Sequence, residues 1–168
     1  MTRASSYLLA ILALVLFSCS AISEEEVMSS EEVKSENSYQ FQEGELIHWE
    51  AIREGDFIVM KAWLNTDWNT YSVHNTNFLG PLPTLISFEK NEHYELVGEI
   101  EEEGLKTKFD QESESDIGYF KNLAIFKQKI KPISGEEFVL KGNVNYMICN
   151  ATKCLPPADY SFELAIKP

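Results

Sequence analysis

From Ile47 onward the chain alternates apolar and polar positions in short runs instead of repeating at helical spacing. Tyr160, Phe162, Leu164 and Ile166 share one side of a period-two pattern, and Leu140, Gly142, Val144 and Tyr146 stand opposite Val139, Lys141, Asn143 and Asn145. That period belongs to half-buried strands. Strands are expected over Ile47 to Ile52, Phe57 to Leu64, Trp68 to Val73, Leu85 to Glu89, Tyr94 to Ile100, Leu123 to Ile130, Phe138 to Met147 and Tyr160 to Ile166. Turn-forming residues separate the runs: Gly80-Pro81-Leu82-Pro83, Lys90-Asn91, Gly104, Ser134-Gly135 and Pro156-Pro157. No stretch after the N-terminal region holds a helical apolar stripe for three turns. The pattern predicts an all-β, immunoglobulin-like antiparallel β-sandwich. Its longest polar break, Glu101 to Gly118, is expected to be a loop, and loops of such length are commonly functional or mobile.

The first part of the chain reads differently. Arg3 precedes an apolar run from Tyr7 to Phe17, about 11 residues, followed by the small residues Ser18, Cys19, Ser20 and Ala21. A basic start, a short apolar segment and a small-residue exit describe a secretory signal. The run is too short to span a bilayer, which takes about 20 apolar residues. Leu16-Phe17-Ser18-Cys19 reads as a lipobox, making residues 1–18 a lipoprotein signal peptide and Cys19 the lipid attachment site. Cleavage after Ala21 would instead leave Cys19 in the discarded peptide. Residues 19–38 are rich in Ser and Glu, so they cannot bury enough apolar surface to offset ordering entropy and are expected to form a disordered tether. Residues 39–168 then make one domain of ordinary size.

Charge narrows the partners. The chain carries 27 acidic and 14 basic residues, a net charge of −13, and loss of Arg3 with the signal leaves 27 against 13, or −14. Such a surface repels phosphate backbones and anionic head groups, which excludes nucleic acid and leaves the lipid as the only expected membrane contact. The expected location is the bacterial cell envelope, periplasm-facing or on the surface.

The chemistry sits near the C-terminus, in Tyr146-Met147-Ile148-Cys149-Asn150-Ala151-Thr152-Lys153-Cys154-Leu155-Pro156-Pro157. Cys149 and Cys154 have four residues between them and lie between two expected strands. A hairpin there lets the two Cβ atoms approach the roughly 3.8 Å that a disulfide needs, in a compartment where disulfides persist. A six-residue closed loop adds only roughly 2 kcal/mol of chain-entropy stabilisation, against about 3 for 15 residues. A staple would do better across the sandwich, whereas a bond inside a short loop is open to an incoming thiolate. Spacing alone leaves a structural and a redox role equally open.

The same segment, leading into Ala158-Asp159-Tyr160-Ser161-Phe162, resembles the C-terminal motif of the N-terminal domain of DsbD, the thiol:disulfide interchange protein. Trp68-Asn69-Thr70-Tyr71-Ser72, Gly80-Pro81-Leu82-Pro83-Thr84 with Phe88-Glu89, Tyr94-Glu95-Leu96-Val97-Gly98 and Tyr119-Phe120-Lys121 follow that family's order, so the resemblance spans nearly all of Ile47 to Lys167. The resemblance implies an immunoglobulin-like domain with its cysteines on a hairpin beneath a movable cap loop. It implies electrons received from a DsbD-like membrane thiol reductase and passed to exported thioredoxin-like proteins, work tied to cytochrome c biogenesis. It also makes Cys154 the sulfur that forms mixed disulfides with partners, and Cys149 the resolving thiol. Family members joined to transmembrane and thioredoxin-like domains differ from the stand-alone lipoprotein expected here, and some have five residues between the cysteines.

Other residues take candidate places around this pair. Lys153 stands beside Cys154, where a cation favours thiolate over thiol, though it also suits an ordinary turn. Trp68 and Tyr71 are candidates for lining the site or for filling the core. Phe109 and Asp110, in the long polar break, are the candidate cap. His48, His74 and His93 are scattered and two thiols fall short of a four-ligand structural zinc site, so neither metal nor other cofactor is expected. The sequon Asn150-Ala151-Thr152 is read as a chance match. The alternative function is a non-catalytic binding or scaffold lipoprotein with a structural disulfide.

Overall fold

The structure, a computed structural model, describes residues 38–76, 79–111 and 113–167. The signal peptide, Cys19 and the tether up to residue 37 lie outside the described residues. The described chain is all β, with ten strands and no helix: β1 (Ile47–Glu54), β2 (Phe57–Leu64), β3 (Asn69–Tyr71), β4 (Leu85–Phe88), β5 (Tyr94–Glu103), β6 (Lys106–Asp110), β7 (Ser115–Lys121), β8 (Leu123–Pro132), β9 (Phe138–Tyr146) and β10 (Ala158–Ile166). They form three antiparallel sheets, ordered β1-β2-β8-β5, β10-β9-β4 and β3-β7-β6.

The first two sheets make the expected sandwich. Alternation aims Trp49, Ile58, Met60 and Phe126 from one side at Leu140, Val144, Phe162 and Ile166 from the other. These positions are nearly all fully buried. Gly142 is required on β9 because the Phe162 ring occupies the place of a side chain there; a Cβ would sit 2.3 Å from Phe162 Cζ. Gln128 is the polar exception on β8. Its Nε2 donates to the carbonyls of Val97 and Lys129, at 3.2 and 3.0 Å, beside a β-bulge in β5 between Val97 and Glu101. The bulge supplies the acceptor that a buried amide needs.

The third sheet replaces the loop expected over Glu101 to Gly118. β5 runs on to Glu103, and β6 and β7 form a hairpin. Both faces of β6 are largely solvated, so Lys106-Thr107-Lys108-Phe109-Asp110 has no apolar alternation to betray a strand. Backbone pairing to β7 holds it instead. β7 passes directly into β8 through Asn122, whose φ of 66° turns the chain from the small sheet into the large one. Asn tolerates that left-handed conformation better than most residues. Its carbonyl accepts from Leu64 N at 2.7 Å, which pins the corner to β2.

Candidate functional site

Beyond β9 the chain makes a tighter, second hairpin. Leu155 N donates to Ile148 O and Asn150 N to Lys153 O, both at 2.9 Å. Between those rungs Cys149 and Cys154 face each other as an antiparallel pair, Cα atoms 4.0 Å apart, joined by a disulfide. Asn150 builds the turn. Its Oδ1 accepts from Thr152 N and Oγ1, both at 2.9 Å, and from Lys153 N at 3.0 Å. An Asn side chain that closes its own turn is a recurrent device, and the sequence signal was the Asn-x-Thr-Lys run, where only a sequon was read.

The cysteine hairpin is also the outer strand of the small sheet. Cys149 and Asn69 exchange both backbone bonds, at 2.9 and 3.0 Å, and Thr70 Oγ1 donates to Met147 O at 3.1 Å. The lateral order is therefore Cys154, Cys149, β3, β7, β6. In a strand every second side chain shares a face, so Asn69 and Tyr71 stand on the side of Cys149, with Tyr119 and Ile117 beyond. Tyr71, Ile117 and Cys149 pack as an apolar cluster separate from the sandwich core, with Tyr119 and Met147 against it.

The two sulfurs differ in access. Cys149 is only 4% exposed, whereas Cys154 is exposed at the surface. Beside them runs an open groove of about 520 Å³ bordered by Tyr71, Gly80, Pro81, Lys108, Asp110, Met147 and the Cys149–Cys154 turn, Lys153 included. Tyr71, Asp110 and Lys153 thus meet at the cysteines. Trp68 and Phe109 are not among the lining residues. Trp68 belongs to the sandwich core. Phe109, 64% exposed, follows strand alternation to the opposite face from Lys108 and Asp110. The β6–β7 hairpin therefore presents Lys108 and Asp110 to the groove, and Lys108 went unnoticed in the sequence because its strand did.

Electrostatics distinguish the floor from the rim. Burial, with the Asp110 carboxylate adding to it, pushes the Tyr71 phenol up to about 12, so it is a neutral hydroxyl at physiological pH. Asp110 accepts from Ser113 N at 3.0 Å and Ser113 Oγ at 2.9 Å, bonds that fix the hairpin's own turn. Lys108 lies over the Tyr119 ring at 5.3 Å. Thr84 Oγ1 donates to Tyr71 O at 2.6 Å, which ties the Gly80-Pro81 side of the groove to β3. Chemically, such a site offers one sulfur to an incoming thiolate and keeps the other behind it as the leaving group.

The fold and site define an immunoglobulin-like β-sandwich with a disulfide across a terminal hairpin. The N-terminal domain of DsbD from Neisseria meningitidis, in its reduced form, shares this fold with a TM-score of 0.52 and 14% identity, over 71% of this chain and 85% of that one. A chain from the complex between the DsbD and PilB N-terminal domains of Neisseria meningitidis matches with a TM-score of 0.53 and 15% identity, over 73% of this chain and 88% of that one. No protein-family model and no curated protein sequence matches the chain.

Proposed function

We propose that the domain is a thiol–disulfide exchange module of the bacterial envelope that passes electrons through Cys149 and Cys154. The observation that carries this reading is the unequal burial of the two sulfurs in a short hairpin beside an open groove. Cys154 is the sulfur attacked by a partner, and Cys149 is the resolving thiol. Lys153 and Lys108 border the approach, and a cation near the sulfurs favours the thiolate. The donor is a DsbD-like membrane thiol reductase and the acceptors are exported thioredoxin-like proteins. A similar fold described in complex with the PilB N-terminal domain supports a protein as the other reactant. Cys19 carries the lipid anchor, with residues 19–38 as the tether; membrane fractionation of Cys19→Ala checks that part, with release into the soluble fraction expected.

The exchange reading is tested by trapping. Cys149→Ala removes the resolving thiol, so Cys154 should stay linked to its partner and be seen on non-reducing gels. Cys154→Ala leaves only a buried sulfur and should trap far less. Adducts chiefly through Cys149 would reverse the roles. No specific adduct from either variant would leave the scaffold reading with a structural disulfide.

A further inference from the structure

Asn69 holds a polar atom that has no hydrogen-bond partner among the described residues. The residue is 9% exposed, and its Nδ2 donates to Cys149 O at 3.3 Å. Its Oδ1 is buried away from solvent and accepts no hydrogen bond. Buried acceptors are almost always satisfied, and an orphan calls for an explanation. The backbone pairing sets its neighbour. Asn69 and Cys149 are directly opposed across an antiparallel ladder, so their Cβ atoms stand about 5 Å apart on one face. A thiol and a carboxamide oxygen carried on Cβ atoms that close are near enough to meet across the ladder. In the oxidised protein Cys149 has no hydrogen to give, because its sulfur is bonded to Cys154.

We propose that Asn69 is a positioning residue whose Oδ1 accepts a hydrogen bond from the Cys149 thiol once the disulfide is reduced, favouring the reduced state and holding Cys149 protonated. The inference rests on the exchange reading of the pair. In the reduction step a partner thiolate bonds to Cys154 Sγ, the Cys149–Cys154 bond breaks, and Cys149 leaves with the bonding electrons. Cys149 takes up the proton given up by the partner's second thiol and, as a neutral thiol, donates a hydrogen bond to Asn69 Oδ1. The second partner thiolate then attacks the partner sulfur of the mixed disulfide and Cys154 departs as thiolate. The partner ends as a disulfide and the pair has gained two electrons.

A hydrogen bond worth near the usual net value shifts the redox equilibrium by about threefold to fivefold, or about 15–20 mV for two electrons. The test uses the full chain with Cys19→Ser, so that only the pair titrates. Equilibration against glutathione is expected to find Asn69→Leu harder to reduce by that factor. With Cys154→Ser added, the ultraviolet absorbance of the thiolate should show the Cys149 pKa falling in Asn69→Leu and rising in Asn69→Asp, which keeps an acceptor. Lower stability in both variants with unchanged potential and unchanged thiol pKa would mean a purely structural role and would overturn the proposal. Dithiothreitol buffers extend the range. A wild-type pair too stable for glutathione sinks the exchange reading, and the dithiothreitol series still decides the Asn69 shift.

Discussion

Removing the disulfide should cost little. The bond joins residues five apart, a closed loop of six. The chain-entropy relation gives about 7.4 cal/mol/K for that loop, or about 2.2 kcal/mol at 25 °C. In Cys149→Ala with Cys154→Ala, loss of the buried Cys149 sulfur adds a cavity penalty of about 1 kcal/mol. The total, about 3 kcal/mol, falls short of the 5–15 kcal/mol typical of a folded domain. The hairpin also has other ties: the Ile148–Leu155 and Asn150–Lys153 rungs, the double bond pair to Asn69, and the three contacts accepted by Asn150 Oδ1. Urea denaturation of both proteins, followed by tryptophan fluorescence, measures the difference. A loss above about 5 kcal/mol, or a double variant unfolded in buffer, would show that the bond holds the fold together and would remove the energetic argument for exchange.

Three further outcomes follow from single side chains. Tyr71 has a folded-state pKa of about 12 against 10.0 unperturbed, so its contribution is present below pH 10 and lost as pH rises toward 12; at pH 11 about 1.4 kcal/mol is gone. Urea titrations at pH 8 and 11 should show Tyr71→Phe losing less stability than wild type, and equal losses would contradict the assignment. Gly142→Ala drives a Cβ to 2.3 Å from the Phe162 ring and should lower stability by about 1–3 kcal/mol, visible as a reduced denaturation midpoint. Phe109→Ala, at an exposed site outside the groove, should change stability by less than about 0.5 kcal/mol and leave the rate of reduction by dithiothreitol unchanged; a faster rate would restore Phe109 as a cap.

What the sequence disclosed depended on burial. β2, β8, β9 and β10 pack one face against the sandwich core, so their alternation is written in Met60, Phe126, Leu140 and Phe162. β6 and the far end of β5 are largely solvated, and Glu101, Lys106 and Lys108 read as loop. The strand break at Asn122 was invisible for another reason: one left-handed residue turns the chain without altering composition. At the site the cysteines, Tyr71, Asp110 and Lys153 could be gathered from motif order. Trp68 and Phe109 could not be placed, because which face of a strand looks inward is decided by its partners. Asn69 and Asn150 do their work through backbone bonds that no periodicity records.

Strand alternation also insulates the fold from the state of the disulfide. Along β7, Phe120 faces the sandwich core while Ile117 and Tyr119 face the cysteines. Along β3, Thr70 turns the other way from Asn69 and Tyr71. The small sheet thus meets the core with one face and carries the site on the other. Breaking the Cys149–Cys154 bond changes packing against Tyr71 and Ile117, a cluster that shares no member with the one built on Trp49, Phe126 and Phe162. The turn from Asn150 to Lys153 is closed by its own side chain and lies outside the β9–β10 ladder, whose register ends at the Tyr146–Ala158 pair. The exchange proposed for this pair needs it to change state many times without refolding the domain around it. Siting the pair on the outer face of a small sheet, beyond the last residues of the β9–β10 ladder, meets that need by geometry.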